Sequence, residues 1–359
     1  MKIKEFSEKL RPGKAALIFS EESILYLTGF AVSDAVLVVS KNGSTLVTDG
    51  RYIEAATEKI QSCEVVLGRT GDFKTQIKEI MSGYDVREVL LEISRVTVRE
   101  AAKYRAYLDS FKMALTEELD DLMKALRSVK SEDERERIAR AQSIAETGFE
   151  RILPLIKPGI RESDIALELD YQMKKAGAQD ISFETIVVTG VNSSKPHGVP
   201  GNTEIKNGDF VTIDFGAVYE GYHSDTTRTL AVGSVSDEQR RVYNTVLKAQ
   251  TAGVMALRAG ISAKAADAVC RDIITDAGYG SFFTHSTGHG VGVEIHEFPA
   301  LSPVANEQIL LQPGNVVTVE PGIYLPGSFG VRIEDMLYVT EDGAENFVTL
   351  PKELMIFLF

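Results

Sequence analysis

Four acidic residues and one histidine in the second half of the chain have the types and spacing of a metal-binding set. Each acid ends or follows an apolar, strand-like run, where a carboxylate is costly to bury unless it is paired or bound to a metal. Like charges this close repel strongly unless cations compensate them. Two divalent ions would balance four carboxylates, and one histidine leaves room for a metal-activated water, so a dinuclear site is predicted over a single structural zinc. The predicted ligands are Asp214, Asp225, His289, Glu320 and Glu334.

The four acids form two similar pairs, and each pair fits two neighbouring strands. Asp214 ends an apolar run that Gly216 follows, and Asp225 lies in the next run, which alternates polar and apolar residues. A hairpin that joins two such strands can present both carboxylates on one face. Glu320 and Glu334 repeat the pattern about one hundred residues later. We therefore expect two carboxylate hairpins.

All five histidines lie in the second half of the chain. Histidine is a common metal ligand and acid–base group, so this clustering indicates a site, although any one of them alone could equally be structural. The glycines that flank His289 allow the backbone to approach a ligand closely. Arg332 shares a strand face with Glu334 by period two, so we expect it to pair with or steer a carboxylate. His223 is interpreted as structural.

Other catalytic patterns receive little support. The glycines at 288, 290 and 292 resemble a phosphate-binding loop only weakly, because their spacing is wrong and no helical pattern follows. No serine has the surroundings of a nucleophile elbow, and neither cysteine has a histidine neighbour. A mechanism that depends on a nucleophilic side chain is therefore not indicated.

An internal repeat from residue 148 onward supplies the elements that would position these residues. Each half reads as two helices followed by strands, and each ends on one of the two acid pairs. Two pseudo-symmetric halves would place four acids around one central cleft. The matching segments are residues 157–160 with 258–261, Gly177 with Gly278, residues 197–200 with 296–299, and residues 207–214 with 313–320.

The first part of the chain, up to about residue 112, alternates short β-rich runs with helical patterns, which predicts an α/β domain. The predicted strands are 15–19, 35–39, 44–48, 64–67 and 89–92, and the predicted helices are 53–59, 73–81 and 99–108. A long charged helical stretch follows over 116–155. The charge run at 130–136 within it is interpreted as a solvated helix face, with a nearby domain boundary as the second interpretation.

Length and composition set the remaining bounds. A chain of 359 residues favours two domains. A net charge of −13 argues against nucleic acid as a partner. The amino terminus carries no apolar signal-peptide core, and the longest apolar runs are too short to span a membrane. Two cysteines outside any CxxC pattern favour a reducing cytoplasm.

Taken together, these motifs resemble the pita-bread metallopeptidases, specifically their Xaa-Pro aminopeptidase and Xaa-Pro dipeptidase (prolidase) branch. Residues 26–30 and 48–52 look like the creatinase-type N-terminal domain, and residues 127–130 look like the start of the catalytic domain. The resemblance covers nearly the whole chain. It implies an α/β creatinase-like domain over 1–125 and an α+β pita-bread catalytic domain with a pseudo-twofold repeat over 126–359.

The resemblance also implies a role for each predicted ligand. Asp214 would bind one metal, and His289 and Glu320 would bind the other. Asp225 and Glu334 would bridge the two ions. The ions would be divalent, with manganese as the first choice and cobalt or zinc as alternatives.

Five residues are similar to the family's catalytic set. Glu320 would carry a proton from the attacking water toward the leaving proline nitrogen. His197, His285 and His296 match the substrate-side histidines of the proline-specific members, and His285 or His296 would polarise the scissile carbonyl. Arg332 matches a family arginine beside the last ligand.

The implied activity is release of the N-terminal residue from peptides with proline at the second position. Prolidases restricted to dipeptides resemble a pattern with arginine where this chain has Ala300, which favours an aminopeptidase that accepts longer peptides and leaves a dipeptidase as the alternative. A non-catalytic peptide-binding module on the same fold is a further alternative, but such relatives lack the ligands. Creatinase-type hydrolysis needs no metal, and a methionine aminopeptidase would lack the first domain. We expect a homodimer that contacts neither nucleic acid nor membrane.

Overall fold

The computed structural model describes residues 2–359. The chain divides into two compact units, Met1–Arg127 and Ser128–Phe359. Among the described residues, no helix combines the length and the apolar character needed to cross a membrane.

The N-terminal unit is built on one six-stranded mixed sheet with the strand order β4-β3-β2-β1-β5-β6. The two central strands, β1 and β2, are almost wholly buried. Its strands are β1 Lys14–Ile18, β2 Val36–Ser40, β3 Ser44–Thr48, β4 Glu64–Leu67, β5 Glu88–Leu91 and β6 Lys112–Ala114, and its helices are α1 Lys2–Lys9, α2 Glu21–Thr28, α3 Ile53–Lys59, α4 Phe73–Gly83 and α5 Val98–Tyr107, with α6 Glu118–Ser128 ending at the boundary.

The five predicted strands and three predicted helices of this unit are confirmed, with ends that differ by at most two residues. Three elements were not predicted: α1, α2 and β6. Helix α2 is only eight residues long and has no strong apolar periodicity, but its ends are well defined. The Ser20 hydroxyl accepts a hydrogen bond from the Ser23 amide, and Gly29 closes the helix at a φ of 80°.

The long helical stretch predicted over 116–155 is broken in the structure. Helix α6 ends at Ser128, and α7 begins at Glu132 with a capping box between Ser131 and Glu134. The interpretation of the charge run as a solvated helix face was wrong at two positions. Lys130 is buried and forms an ion pair with Glu297 at 2.8 Å, and Glu134 is buried as well.

The C-terminal unit contains four long helices and several small, mainly antiparallel sheets. Two of these sheets carry or flank the predicted metal ligands, and their strand orders are β20-β12-β9-β8 and β14-β13-β15-β18-β19. The helices are α7 Glu132–Ile152, α8 Glu162–Lys175, α9 Asp237–Ala256 and α10 Ala263–Asp276, and the strands are β7 Asp180–Ile181, β8 Ile186–Thr189, β9 Phe210–Phe215, β10 Ala217–Tyr219, β11 Tyr222–His223, β12 Thr226–Val232, β13 Gly288–Gly290, β14 Glu297–Leu301, β15 Val316–Val319, β16 Gly322–Leu325, β17 Phe329–Arg332, β18 Asp335–Val339, β19 Ala344–Asn346 and β20 Ile356–Phe357.

The internal repeat is visible in the backbone. Helices α8 and α10 are both 14 residues long and occupy matching places in the two halves. Each is preceded by a glycine with positive φ, Gly159 at 88° and Gly260 at 83°. The amide of the first donates to the carbonyl of Ile205 and that of the second to the carbonyl of Leu311, both at 2.9 Å. The predicted duplication is therefore confirmed, and the repeated glycines are explained because non-glycine residues rarely adopt this backbone conformation.

Candidate metal centre and active site

The predicted acids lie where strands end or change direction. Asp214 is within β9, Asp225 directly precedes β12 and Glu320 directly follows β15. Glu334 directly precedes β18, so neither Asp225 nor Glu334 lies within the strand on which the sequence predicted it. Strands β9 and β12 pair so that Thr227 lies opposite Asp214.

Three of the five predicted ligands form a compact group. Ligand atoms of Asp225, His289 and Glu334 all lie within 4.8 Å of one another. The Nε2 atom of His289 is 3.4 Å from a carboxylate oxygen of Asp225 and 3.4 Å from one of Glu320, so the fourth residue joins the group through the histidine. The fifth, Asp214, contacts Arg332 and lines the same cavity.

The His289 ring is oriented by backbone and side-chain contacts. Its Nδ1 atom lies 3.0 Å from the carbonyl oxygen of Gly290, so that this nitrogen carries the proton and donates it. When the ring is neutral, this leaves the lone pair of Nε2 available to a metal ion. A second-sphere bond of this kind to a carbonyl is usual for a histidine that binds a metal. The histidine amide donates to the Thr318 hydroxyl, which lies within hydrogen-bond distance of Glu320.

The electrostatics of the cluster show that the acids lack sufficient positive charge from the protein. Burial raises the pKa of Asp225 to about 6 and that of Glu320 to about 7, although His289 opposes both shifts. Burial and the neighbouring carboxylates raise the pKa of Glu334 well above its ordinary value. Burial would lower the pKa of His289, but the adjacent acids raise it to about 9. The raised carboxylate pKa values indicate that burial makes the charged forms costly and that protein cations offset only part of this cost.

The residues present fit a divalent metal. Carboxylate oxygens and one imidazole nitrogen are ligands that manganese, cobalt and zinc accept. The Oδ1 atom of Asp214 is buried and has no hydrogen-bond partner among the described residues, whereas Oδ2 accepts a bond from Arg332 at 2.6 Å. A buried carboxylate oxygen without a partner is costly, and a cation beside it would remove that cost.

Arg332 links the acids to one wall of the cavity, as its spacing from Glu334 predicted. Besides Asp214, its guanidinium donates to the Thr227 hydroxyl at 3.0 Å and to the Tyr324 hydroxyl at 2.8 Å. The Thr227 hydroxyl in turn donates to Glu334 at 2.7 Å. The arginine therefore holds one acid directly and a second through a threonine.

The sequence did not predict Tyr324, Thr227 or Thr318 as site residues. Tyr324 is buried, and burial raises the pKa of its phenol to about 12, so the hydroxyl stays protonated. One available signal was the alternation of side chains along a strand, which places Thr227 on the same face as Asp225. Tyr324 carries no comparable signal, because an aromatic residue in an apolar strand is usually a core residue.

A cavity of about 490 Å³ opens beside the acids. Its lining includes all nine residues that the sequence assigned to the site, together with apolar side chains such as Phe183, Ile186 and Ile295. The nine are Asp214, Asp225, His289, Glu320, Glu334, His197, His285, His296 and Arg332. Their proximity is a property of the fold, and their individual roles stay predictions.

The three substrate-side histidines differ in their surroundings. Both ring nitrogens of His285 have protein partners, the carbonyl of Ser286 at 2.8 Å and the hydroxyl of Tyr324 at 2.9 Å. Burial lowers the pKa of His285 to about 4, and burial also lowers that of His296. His296 is only half-buried and stacks edge-on against the ring of His289, with centroids 4.4 Å apart. His197 is exposed at the cavity wall.

His223 lies outside the cavity lining. Its Nδ1 is 2.8 Å from the hydroxyl of Ser182, and its amide donates to the carbonyl of Gly292. It thus connects two segments that continue into the cavity wall, which is consistent with the structural role predicted for it.

Two family models cover most of the chain. The Creatinase/Prolidase N-terminal domain matches residues 11–129, and metallopeptidase family M24 matches residues 136–341. The chain belongs to metallopeptidase family M24. The predicted family, the two-part fold and the assignment as a peptidase are therefore confirmed.

Relatives of this M24 metallopeptidase match it over almost their whole length. The uncharacterized peptidase YqhT of Bacillus subtilis (strain 168) is 40% identical over 340 residues, which is 95% of each chain. The structure of a Xaa-Pro dipeptidase from Bacillus anthracis has a TM-score of 0.93 at 39% identity and covers 99% of each chain. That of an X-Pro aminopeptidase from Thermotoga maritima MSB8 has a TM-score of 0.90 at 38% identity, covering 98% of this chain and 99% of that one.

Proposed function

We propose that this M24 metallopeptidase removes the N-terminal residue from peptides whose second residue is proline, with the help of two divalent metal ions. One observation carries the proposal: four buried or partly buried carboxylates and the Nε2 atom of one histidine lie together beside a cavity that three further histidines and an arginine line. Its relatives include proteins named as Xaa-Pro dipeptidase and as X-Pro aminopeptidase, which supports proline as the second residue.

Asp214, Asp225, His289, Glu320 and Glu334 would hold the ions. When bound, such ions supply Lewis acidity and make a water molecule nucleophilic near neutral pH. The protein contributes orientation. Arg332 fixes the Asp214 carboxylate, Thr227 fixes Glu334, and Thr318 fixes both the His289 backbone and the Glu320 carboxylate.

Proton transfer and carbonyl polarisation would come from side chains that face the cavity. The Glu320 carboxylate would accept a proton from the attacking water and hold it until the proline nitrogen leaves. His296 is the better-placed donor to the scissile carbonyl oxygen, because both nitrogens of His285 already have protein partners. Tyr324 would keep His285 and Arg332 in fixed orientations through its hydroxyl.

A two-substrate assay tests the proposal. Protein treated with chelator is expected to hydrolyse neither a Gly-Pro dipeptide nor a Xaa-Pro-Pro tripeptide, and added manganese is expected to restore hydrolysis of the tripeptide most strongly. Released N-terminal residue is quantified by chromatography. Turnover that does not depend on metal would contradict the proposal. So would inactivity on both substrates with manganese, cobalt and zinc, which would favour the peptide-binding module.

The dipeptidase is the second candidate, and Ala300 provides a test of it. This residue is exposed at the cavity wall, four residues after His296. Ala300→Arg would offer a cation to the carboxylate of a bound dipeptide and narrow the way out for a longer peptide. Since a hydrogen bond to a charged group contributes about 1.5–3 kcal/mol, we expect the dipeptide-to-tripeptide ratio of kcat/KM to rise about 10- to 100-fold.

Ala300→Met is the matched control, because it adds length without charge. It is expected to slow hydrolysis of the tripeptide and to leave the rate of dipeptide hydrolysis near that of the parent. A parent protein that already prefers the dipeptide by more than tenfold would favour the dipeptidase instead.

Three finer points belong to the same proposal. We propose manganese as the working metal, because all but one of the candidate ligands are carboxylates, which suit this ion. The homodimer and the cytoplasmic location remain predictions. Metal analysis of the purified protein tests the choice of metal, and light scattering tests the homodimer.

A further inference from the structure

An ion pair on α10 lies behind the histidine side of the cavity. Arg271 and Asp267 are one helical turn apart and form two hydrogen bonds, of 2.7 and 2.8 Å. The Asp267 side chain is 1% exposed and that of Arg271 is 22% exposed. A pair of this spacing on a helix surface would only support its own helix.

Arg271 directs its other contacts away from the helix. Its guanidinium donates to the carbonyl oxygens of Phe283 at 3.2 Å and of His285 at 2.8 Å. It also lies over the Phe283 ring, 4.3 Å from the centroid, and that ring meets the His285 imidazole edge-on at 5.1 Å. One arginine thus fixes both the backbone and the ring environment of His285.

Asp267 fixes the other end of the same segment. One of its carboxylate oxygens accepts the amide hydrogen of Thr287 at 3.0 Å. The Thr287 carbonyl accepts the amide of Glu320 at 2.8 Å. The ion pair therefore connects, through residues 283–287, with a cavity histidine and with a predicted metal ligand. His285 Nδ1 and a Glu320 carboxylate oxygen are 3.9 Å apart, so the two ends meet in the cavity.

The duplicated scaffold does not require this pair. Helices α8 and α10 begin at Glu162 and Ala263, 101 residues apart, so Asp267 corresponds to Ala166 and Arg271 to Asp170. The first half has the same helix without the pair. The pair is present only in the half that contributes His285 and His289, which connects it with the site and not with helix packing in general.

We infer that the Arg271–Asp267 ion pair is a positioning element for the reaction, which holds residues 283–287 so that His285 and Glu320 keep their places in the cavity. The inference rests on the proposed peptidase activity. Neither residue of the pair lines the cavity, so both act through the segment that they hold.

Arg271→Met tests the inference because it keeps the apolar stem and removes all the hydrogen bonds. Loss of a hydrogen-bonding group that orients the residues of a metal site typically costs 10- to 100-fold in activity. In manganese-loaded full-length protein we expect kcat on the tripeptide to fall about 10- to 100-fold while KM changes less than about threefold. Arg271→Lys, which restores one charged contact, should recover part of the loss. Arg240→Met on the exposed surface of α9 is the matched control and should behave like the parent.

Two further measurements separate positioning from a general loss of structure. Amide hydrogen exchange of residues 283–287 should become faster in Arg271→Met, with little change in distant core strands such as β12. In a His285→Ala background, removal of Arg271 should lower kcat less than in the parent, because one of the two residues through which it acts is already gone.

Unchanged amide exchange of residues 283–287 in Arg271→Met would overturn the inference. It would also be overturned if the fold-loss in kcat of the double variant equalled the product of the fold-losses of the two single variants. An inactive parent protein would contradict the proposed function alone. The exchange comparison would then decide the positioning role by itself, with faster exchange supporting it and unchanged exchange refuting it.

Discussion

Asp225→Asn is expected to lower kcat/KM by at least about 10³-fold, which is the upper end of the effect of one directly acting polar group. The substitution keeps the shape of a buried side chain and removes its charge. Asp225 lies 3.4 Å from His289 and shares a ligand group with Glu334, so its loss should also reduce the bound metal from two ions per chain. Metal analysis after dialysis, together with the tripeptide assay, measures both effects.

The same variant should respond differently when metal is absent. Burial disfavours the charged form of Asp225, as its raised pKa indicates. We therefore expect the melting temperature of chelated Asp225→Asn to equal or exceed that of the chelated parent, whereas the gain in melting temperature on adding manganese should be smaller. Asp276→Asn, at the exposed end of α10, is the control. A variant that kept both ions and the full rate would rule out a bridging role.

Asp335→Ala is expected to have the largest effect on stability, a loss of about 3–5 kcal/mol, because it strands a buried cation. Asp335 is fully buried and accepts hydrogen bonds from Arg228 at 2.8 Å, Lys352 at 2.8 Å and Gln250 at 2.9 Å. Arg228 is itself almost fully buried, and without the carboxylate only carbonyl groups would remain beside it. Urea unfolding of the chelated protein gives the free energy directly.

Two comparisons identify the cause of that loss. Glu307→Gln breaks an exposed ion pair with Lys264 and should cost less than about 1 kcal/mol. The double variant Arg228→Met with Asp335→Leu should lose less than Asp335→Ala, because neither charge is then buried alone. Equal stability of Asp335→Ala and the parent would show that the carbonyl groups alone satisfy the Arg228 guanidinium.

The sequence predicted much of the fold because its strongest patterns are periodic. The alternation of short strands and helices in the N-terminal unit and the repeated glycines of the C-terminal unit are both local features that the backbone must obey. The acids at the ends of apolar runs were recognisable for the same reason, since a buried carboxylate in such a place needs a partner. Pseudo-symmetry then brought distant acids together.

Contacts between distant residues were not predictable in the same way. Tyr324 reads as a core aromatic, and its hydroxyl becomes part of the site only because Arg332 and His285 come within hydrogen-bond distance. Asp267 and Arg271 read as an ordinary helix pair until residues 283–287 are seen against them. The break before α7 was missed because helical periodicity continues on both sides of it.

The pairing of β9 with β12 also limits how the length of this chain can change. Asp225 and Thr227 face the acid cluster, whereas Arg228 points the opposite way, toward Asp335. Because successive residues of a strand alternate between faces, deletion of Thr226 alone would move either the aspartate or the rest of β12 to the wrong side. Loss or gain of two residues would keep the faces. In related chains we therefore expect insertions and deletions along β12 to come in even numbers, while the exposed loop at 303–308 should vary by any number.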